Sequence, residues 1–348
     1  MSLTNTGQTP WGRQLRELVL NENIFYISKR LLQGVLTLTL ASVLSFTIIQ
    51  LAPGDYLDTL RQNPTITQET LDELTRRFGL DLPAWQQYLL WLKQVVTRFD
   101  FGESFVYSRS VTGLLVERMP ATILLAGSTL FLTWAIAIPL GIMAAVKQNT
   151  LVDRSLRVVS YIGQGFPSFI TALLFLFIAQ SVAPLFPVGG MTSIYFDELS
   201  WLGKGLDIAW HSILIVTALT VTSFAGLQRL MRGQLLDVLR QDYIQTARAK
   251  GLPENRVIYV HALRNAINPL ITLLGFEFAG LLSGSFIAEF FFNWPGLGRL
   301  ILQAVQAQDL YLVMASLMMG ATMLIVGNLL ADLLLKLVDP RIKLEDLK

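Results

Sequence analysis

Six apolar runs, each near the ~20 residues that carry a helix across a bilayer, constrain this chain more than any motif in it. They fall at about 31–51, 121–146, 158–180, 208–228, 270–292 and 312–335. Backbone in lipid must satisfy its own hydrogen bonds, so such spans are helices. Charged residues are 15% of the chain and hydrophobic ones 53%, against about a quarter charged in soluble domains. The expectation is an all-α membrane protein with six transmembrane helices. The first run is too long for the core of a signal peptide and lacks a small-x-small exit, so it reads as an anchoring span.

Orientation follows from the cations of the short connections. Segments 1–30, 147–157, 229–269 and 336–348 hold 18 of the 27 Lys and Arg, whereas 187–207 and 293–310 hold only Lys204 and Arg299. Long translocated loops are largely exempt from the charge rule, so the seven cations of 52–120 do not count against an outer location. Both termini and the basic segment 229–269 are thus expected in the cytoplasm.

The outer segment carries two amphipathic patterns. In one, Leu71, Leu74 and Phe78 share a helical face and Gly79 supplies a stop. In the other, Pro83 suits a first turn, and Trp85, Leu89, Leu92, Val96 and Phe99 line one side. A packed cap and a docking surface for an external partner are both open. Within the spans, Pro139, Gly163, Gly165 and Pro167 should kink or loosen helices, and Gly280 with Gly284 forms a GxxxG pair suited to close helix approach.

Between the fourth and fifth spans lies "ARAKGLPENRVIYVHALRNA", residues 247–266. Leu236, Leu239, Tyr243 and Ala247 recur at helical spacing, which predicts one amphipathic helix over 235–250. Arg248 and Lys250 complement its C-terminal dipole. Gly251 suits a left-handed cap, and Pro253 opens a second helix reaching about Asn265. Asn268 is the expected N-cap of the fifth span, with Pro269 in its first turn. The segment is therefore an ordered lever continuous with a membrane helix. A basic loop resting on anionic lipid would account for Arg248, Lys250 and Arg256 but not for the Gly-Leu-Pro break.

Several chemistries have no residues to run them. The chain has no Cys and two His, expected on opposite sides of the membrane, which excludes disulfides, thiolate sites and a shared His metal site. No P-loop, zincin or nucleophile-elbow motif occurs, and a net charge of +2 leaves no nucleic-acid footprint. No enzyme activity and no cofactor are expected. Glu277 lies inside the fifth span on the Gly280 face and should point into the bundle. A pathway or gate residue, and a carboxylate satisfied by a neighbouring helix, both remain open. Glu289 and Asp332 sit nearer span ends, where interfacial solvation is expected. A secondary carrier usually needs more buried charge than this.

The insert resembles the cytoplasmic "EAA" loop of permease subunits of bacterial ATP-binding-cassette importers. Gln245, Thr246 and Ala247 occupy the E-A-A positions, Gly251 falls at the required spacing, and Leu263 matches the closing I-x-L-P. The similarity is closer to the first-permease group for dipeptides, oligopeptides and related cargo. Its stretches here are "TARAKGL…HALRNA", "RLLQGVLTLTLASVLSFTIIQLAPGD", "FGLDLPAWQQYLLWL", "FDFGESF", "ERMPATILLAGS" and "IAEFFFNWPGLGRLILQAVQAQDLYLV". The resemblance implies a type I importer permease fold in the bacterial inner membrane, with a cytoplasmic arm at 1–30, a first span at 31–51, a periplasmic helical segment at 52–117, a five-helix domain at 118–335 and a tail at 336–348. It also implies as partners a second homologous permease, two cytoplasmic ATP-binding subunits and an extracytoplasmic binding protein. The coupling residues it implies are Gln245, Thr246, Ala247, Arg248, Lys250, Gly251 and Leu263.

Overall fold

The computed structural model describes residues 22–52, 54, 56–61, 66–181 and 186–338; most of the expected N-terminal arm, and the tail from 339, lie outside the described residues. Among the described residues there are helices and no strand, with one isolated bridge between Glu103 and Ser110. Four helices are long and apolar enough to cross a bilayer, and up to six spans result if each of two bent pairs counts as one.

Helix α1 (Glu22–Leu51) leads to a cap made of α2 (Tyr56–Arg61), α3 (Gln68–Phe78) and α4 (Ala84–Arg98). Then come α5 (Val111–Val146), α6 (Leu151–Gly165), α7 (Ser168–Ser181) and α8 (Trp201–Leu239). At 36 and 39 residues, α5 and α8 are ~55 Å long at 1.5 Å per residue, well beyond a ~30 Å hydrocarbon core. They pack along one another and form the centre of the bundle. Their contact depends on Gly141, where a Cβ would stand 2.7 Å from Met231 Cβ and 2.9 Å from the Gln228 carbonyl oxygen.

The expected third span is not a single rod. Helices α6 and α7 meet at 99° because Pro167 forces Phe166 into extended backbone, φ −110° and ψ 134°. Polar contacts fix α6 along α8: Arg232 donates to both Asp153 carboxylate oxygens at 2.7 and 2.9 Å, and Ser160 Oγ donates to Gln228 Oε1 at 2.8 Å. Asp153 is completely buried.

The cap corrects another expectation. Helix α3 follows its pattern, with Leu71 and Phe78 buried and Gly79 left-handed at φ 66°. On α4, however, Trp85, Leu89, Val96 and Phe99 are exposed, and the buried residues are Gln87 and Trp91, flanked by Tyr88, Leu92 and Val95. Apolar side chains cover more than half of this helix, so its period admits two stripes. The stripe chosen is the one whose polar tips find partners: Trp91 Nε1 donates to the Phe101 carbonyl at 3.1 Å and Tyr88 OH meets Ser42 Oγ at 2.9 Å.

After α8 come α9 (Asp242–Ala249) and α10 (Glu254–Ala266), the latter with a π turn at Val257–Ala262. They are followed by α11 (Asn268–Gly284), α12 (Phe286–Phe291), α13 (Leu297–Gln306) and α14 (Leu310–Val338). The expected helix over 235–250 is in fact two: α8 runs to Leu239, and α9 begins after an extended Gln241, φ −70° and ψ 148°. Asn268 is not an N-cap, because Ile267 is already helical and its carbonyl accepts from Ile271 N at 3.0 Å. Nor does Gly280 mark a helix crossing: a Cβ there would have no heavy atom within 4 Å. The surroundings of Gly284 lie outside the described residues.

Candidate functional site

The insert is built around a Schellman turn. Gly251, at φ 76°, donates to the Arg248 carbonyl at 2.9 Å, and Leu252 N donates to the Ala247 carbonyl at 3.4 Å. Pro253 sits at the N-cap of α10, one position before the expected first turn. Across the turn, Arg248 Nη2 donates to Glu254 Oε1 at 2.6 Å and Arg248 Nε to Glu254 Oε2 at 3.1 Å. Asn265 Nδ2 donates to Tyr243 OH at 2.7 Å and ties the far end of α10 back to α9. The two short helices thus form a closed unit.

That unit is fused to the bundle. Ile244, Ala247, Val257, Ile258, Ala262 and Ala266 are buried in one cluster with Met231 and Leu235 of α8, Ile142 and Ala145 of α5, and Leu270 of α11. Ala247, expected on a face that meets a partner, therefore packs inside its own chain. Gln245, Thr246, Lys250 and Gly251 are exposed, Arg248 is half-buried in its ion pair, and Leu263 packs partly buried against the cluster. The structure brings the seven sequence-derived residues to one insert but divides them between a packed and an open side. Tyr243, read as part of the apolar stripe, is exposed instead, and reading the sequence missed Tyr259 and Val260, which are also apolar and exposed. The signal was present in the run Val257–Val260, apolar on more sides than one buried stripe can use.

Glu277 is half-buried and lines a cavity of about 320 Å³ with Ser168, Leu219, Thr222, Ser223, Leu273, Phe276 and Gly280. Helices α7, α8 and α11 each contribute. Among the described residues Glu277 has no hydrogen bond or ion pair.

Glu289 and Asp332 are not solvated as their positions near span ends suggested. Glu289 is completely buried and accepts from Thr122 Oγ1 at 3.1 Å, Ser285 Oγ at 3.1 Å and Arg299 N at 3.2 Å. Its cradle needs Gly296, where a Cβ would lie 2.4 Å from Glu289 Oε2. Asp332 pairs with Arg30 at 2.8 Å and accepts from Tyr26 OH, joining α14 to α1. Between α13 and α14, buried Asp309 accepts from Ser104 Oγ at 2.6 Å, Val106 N at 3.2 Å and Leu312 N at 3.2 Å. Burial pushes its carboxyl above the usual carboxylate range despite these donors. Buried carboxylates in this chain therefore bind elements together, with Glu277 the one that faces a cavity without a partner among the described residues.

A family model described as "Binding-protein-dependent transport system inner membrane component" matches residues 137–344, and its N-terminal companion matches residues 24–126. The oligopeptide transport system permease protein AppB of Bacillus subtilis is 38% identical over 319 residues, covering 91% of this chain and 99% of the relative. The dipeptide transport system permease protein DppB of Escherichia coli K12 is 34% identical over 334 residues, covering 91% and 98%. A chain of the MetNI methionine ABC transporter, solved in inward-facing conformations, superposes with a TM-score of 0.50 at 15% identity, over 65% of this chain and 97% of that one. That likeness concerns the fold, and it agrees with the type I permease architecture. Two family matches that together run from residue 24 to 344, around a bundle of apolar helices with a fused basic insert, lead to one assignment: the chain belongs to the family of inner-membrane components of binding-protein-dependent transport systems.

Proposed function

We propose that this chain is one of two permease subunits of an ATP-driven peptide importer. The observation that carries the reading is the insert: an ordered, exposed helical pair fused through a shared core to α5, α8 and α11, so that a push on it reaches all three. The names of the AppB and DppB relatives favour di- or oligopeptides as cargo. ATP-binding subunits would dock on the open side of the insert, contacting Gln245, Thr246 and Lys250 together with Tyr243, Tyr259 and Val260. ATP hydrolysis would belong to those subunits, and an external binding protein would deliver the peptide. The cation asymmetry supports placing the insert in the cytoplasm and the α2–α4 cap outside.

The test is reconstitution of the chain with a second permease, two ATPases and a binding protein of the same transport system. Uptake of labelled trialanine into proteoliposomes should require ATP and the binding protein, and be absent from vesicles holding the chain alone. Ion-gradient-driven uptake by the chain alone would replace this reading with a secondary carrier.

A further inference from the structure

We propose that the Glu277 cavity is a subsite for a primary ammonium group, the free amino end of a transported peptide. The substrate class rests on the reading above; the cation preference rests on the cavity itself. At about 320 Å³, it has the volume of a small-ligand site. It sits where α6 and α7 break at Pro167, and non-helical backbone at membrane depth is tolerated where it lines a cavity or is buried in protein. Glu277 is ten residues into α11, ~14 Å along its axis, and so far from either end of the helix.

The lining chemistry selects a cation that can donate hydrogen bonds. Ser168, Thr222 and Ser223 offer hydroxyl oxygens from two other helices, and among the described residues the cavity lining holds no Lys or Arg. Thr222 already donates its own proton to the Leu219 carbonyl at 2.8 Å, which leaves its oxygen as an acceptor. An ammonium with three donors can thus meet a carboxylate and hydroxyl acceptors at once, with the Phe276 ring at the lining to add a cation–π contact. Four other buried carboxylates are occupied: Glu289 and Asp309 by hydroxyl and backbone donors, Asp332 by Arg30, Asp153 by Arg232. Glu277 is available to a ligand. A subsite of this kind would grip the feature common to all peptides with a free amino end, whatever their side chains, in keeping with a pathway that passes varied sequences.

The test uses the chain's freedom from Cys, in the reconstituted transporter with partner subunits that carry no reactive cysteine. Glu277→Cys should lower trialanine uptake roughly tenfold, the loss of one charge-assisted contact. Reaction with a sulfonate-bearing methanethiosulfonate, which restores a negative charge, should recover at least half of the uptake. The neutral methyl reagent and the trimethylammonium reagent should recover none. Glu277→Gln, nearly isosteric, should match the unmodified Cys variant and purify with the second permease in normal yield. The proposal is overturned if the neutral adduct transports as well as the sulfonate adduct. It is equally overturned if either variant loses the second permease on purification, since Glu277 would then be an assembly contact. A wild-type transporter that takes up no trialanine would instead sink the peptide reading, and this proposal with it.

Discussion

Gly251 and Ala247 lie four residues apart, and the structure gives them different jobs. At φ 76° and with open space where a Cβ would go, Gly251 is required by conformation alone. A non-glycine residue there costs roughly 1–2 kcal/mol, too little to unfold a bundle but enough to misdirect α10. Gly251→Val is therefore expected to reach the membrane at near-normal abundance and to lose ATP-dependent uptake, checked by immunoblot and transport in parallel. Ala247 is 8% exposed inside the shared cluster, and a carboxylate buried there without a partner costs on the order of several kcal/mol. Ala247→Asp should thus open the insert itself, read as faster tryptic cleavage at Arg248 and Lys250 and lower abundance. Glu254→Ala removes only a half-exposed ion pair, worth under ~1 kcal/mol, and should transport nearly normally. Asp153 is the opposite case, wholly buried against Arg232. Asp153→Asn should lower the melting temperature in detergent clearly, since breaking a buried pair costs ~3–5 kcal/mol. The double variant with Arg232→Gln should melt at or above Asp153→Asn, and strict additivity of the two single changes would count against a coupled pair.

At the scale of elements, α4 separates burial from amphipathic pattern. Trp91 is 1% exposed and hydrogen-bonded, whereas Trp85, six residues earlier, is 63% exposed. Trp91→Ala should destabilise the cap by roughly 3–5 kcal/mol, and Trp85→Ala by less than about 1 kcal/mol. Limited proteolysis of the cap in each variant discriminates them, and equal susceptibility would mean that α4 packs by its other stripe. The contact between α5 and α8 is equally specific: at Gly141 even a methyl group meets Met231 and backbone, so Gly141→Leu should overpack the two longest helices and cost stability.

For the whole molecule, the fused insert makes two ends of one bundle mechanically continuous. Clusters run from the insert through α5 and α8, and the Asp309 and Glu289 cradles bind the opposite end. Which end faces the cytoplasm is testable in the Cys-free chain. Single cysteines at Gln68 in the cap and Asn255 in the insert, both exposed, should react with an impermeant maleimide from opposite sides. Gln68→Cys should label in intact cells and Asn255→Cys only after permeabilisation. Labelling of Asn255→Cys in intact cells would reverse the orientation.

Whatever depends on local chemistry could be read along the chain. Apolar run length set the membrane-spanning class, Gly79 and Gly251 fixed helix ends because only glycine takes those dihedrals cheaply, and Pro167 broke the third run because it restricts its neighbour. The left-handed turn at Gly251 was likewise legible from spacing, whereas the seven coupling residues came from the family resemblance. Tertiary structure decided whatever turned on choosing between faces of similar apolarity, or on partners distant in sequence. Trp91 rather than Trp85 went inward because its indole nitrogen reached the Phe101 carbonyl. Ala247 was claimed by α5 and α8 instead of being left for a partner. Glu289, Asp309 and Asp332 became internal ties because hydroxyls, amides and an arginine, up to 306 residues away, closed around them. Glu277 was left facing a cavity because, among the described residues, no comparable donor reached it, a difference that helical periodicity, blind to what lies across the bundle, cannot encode.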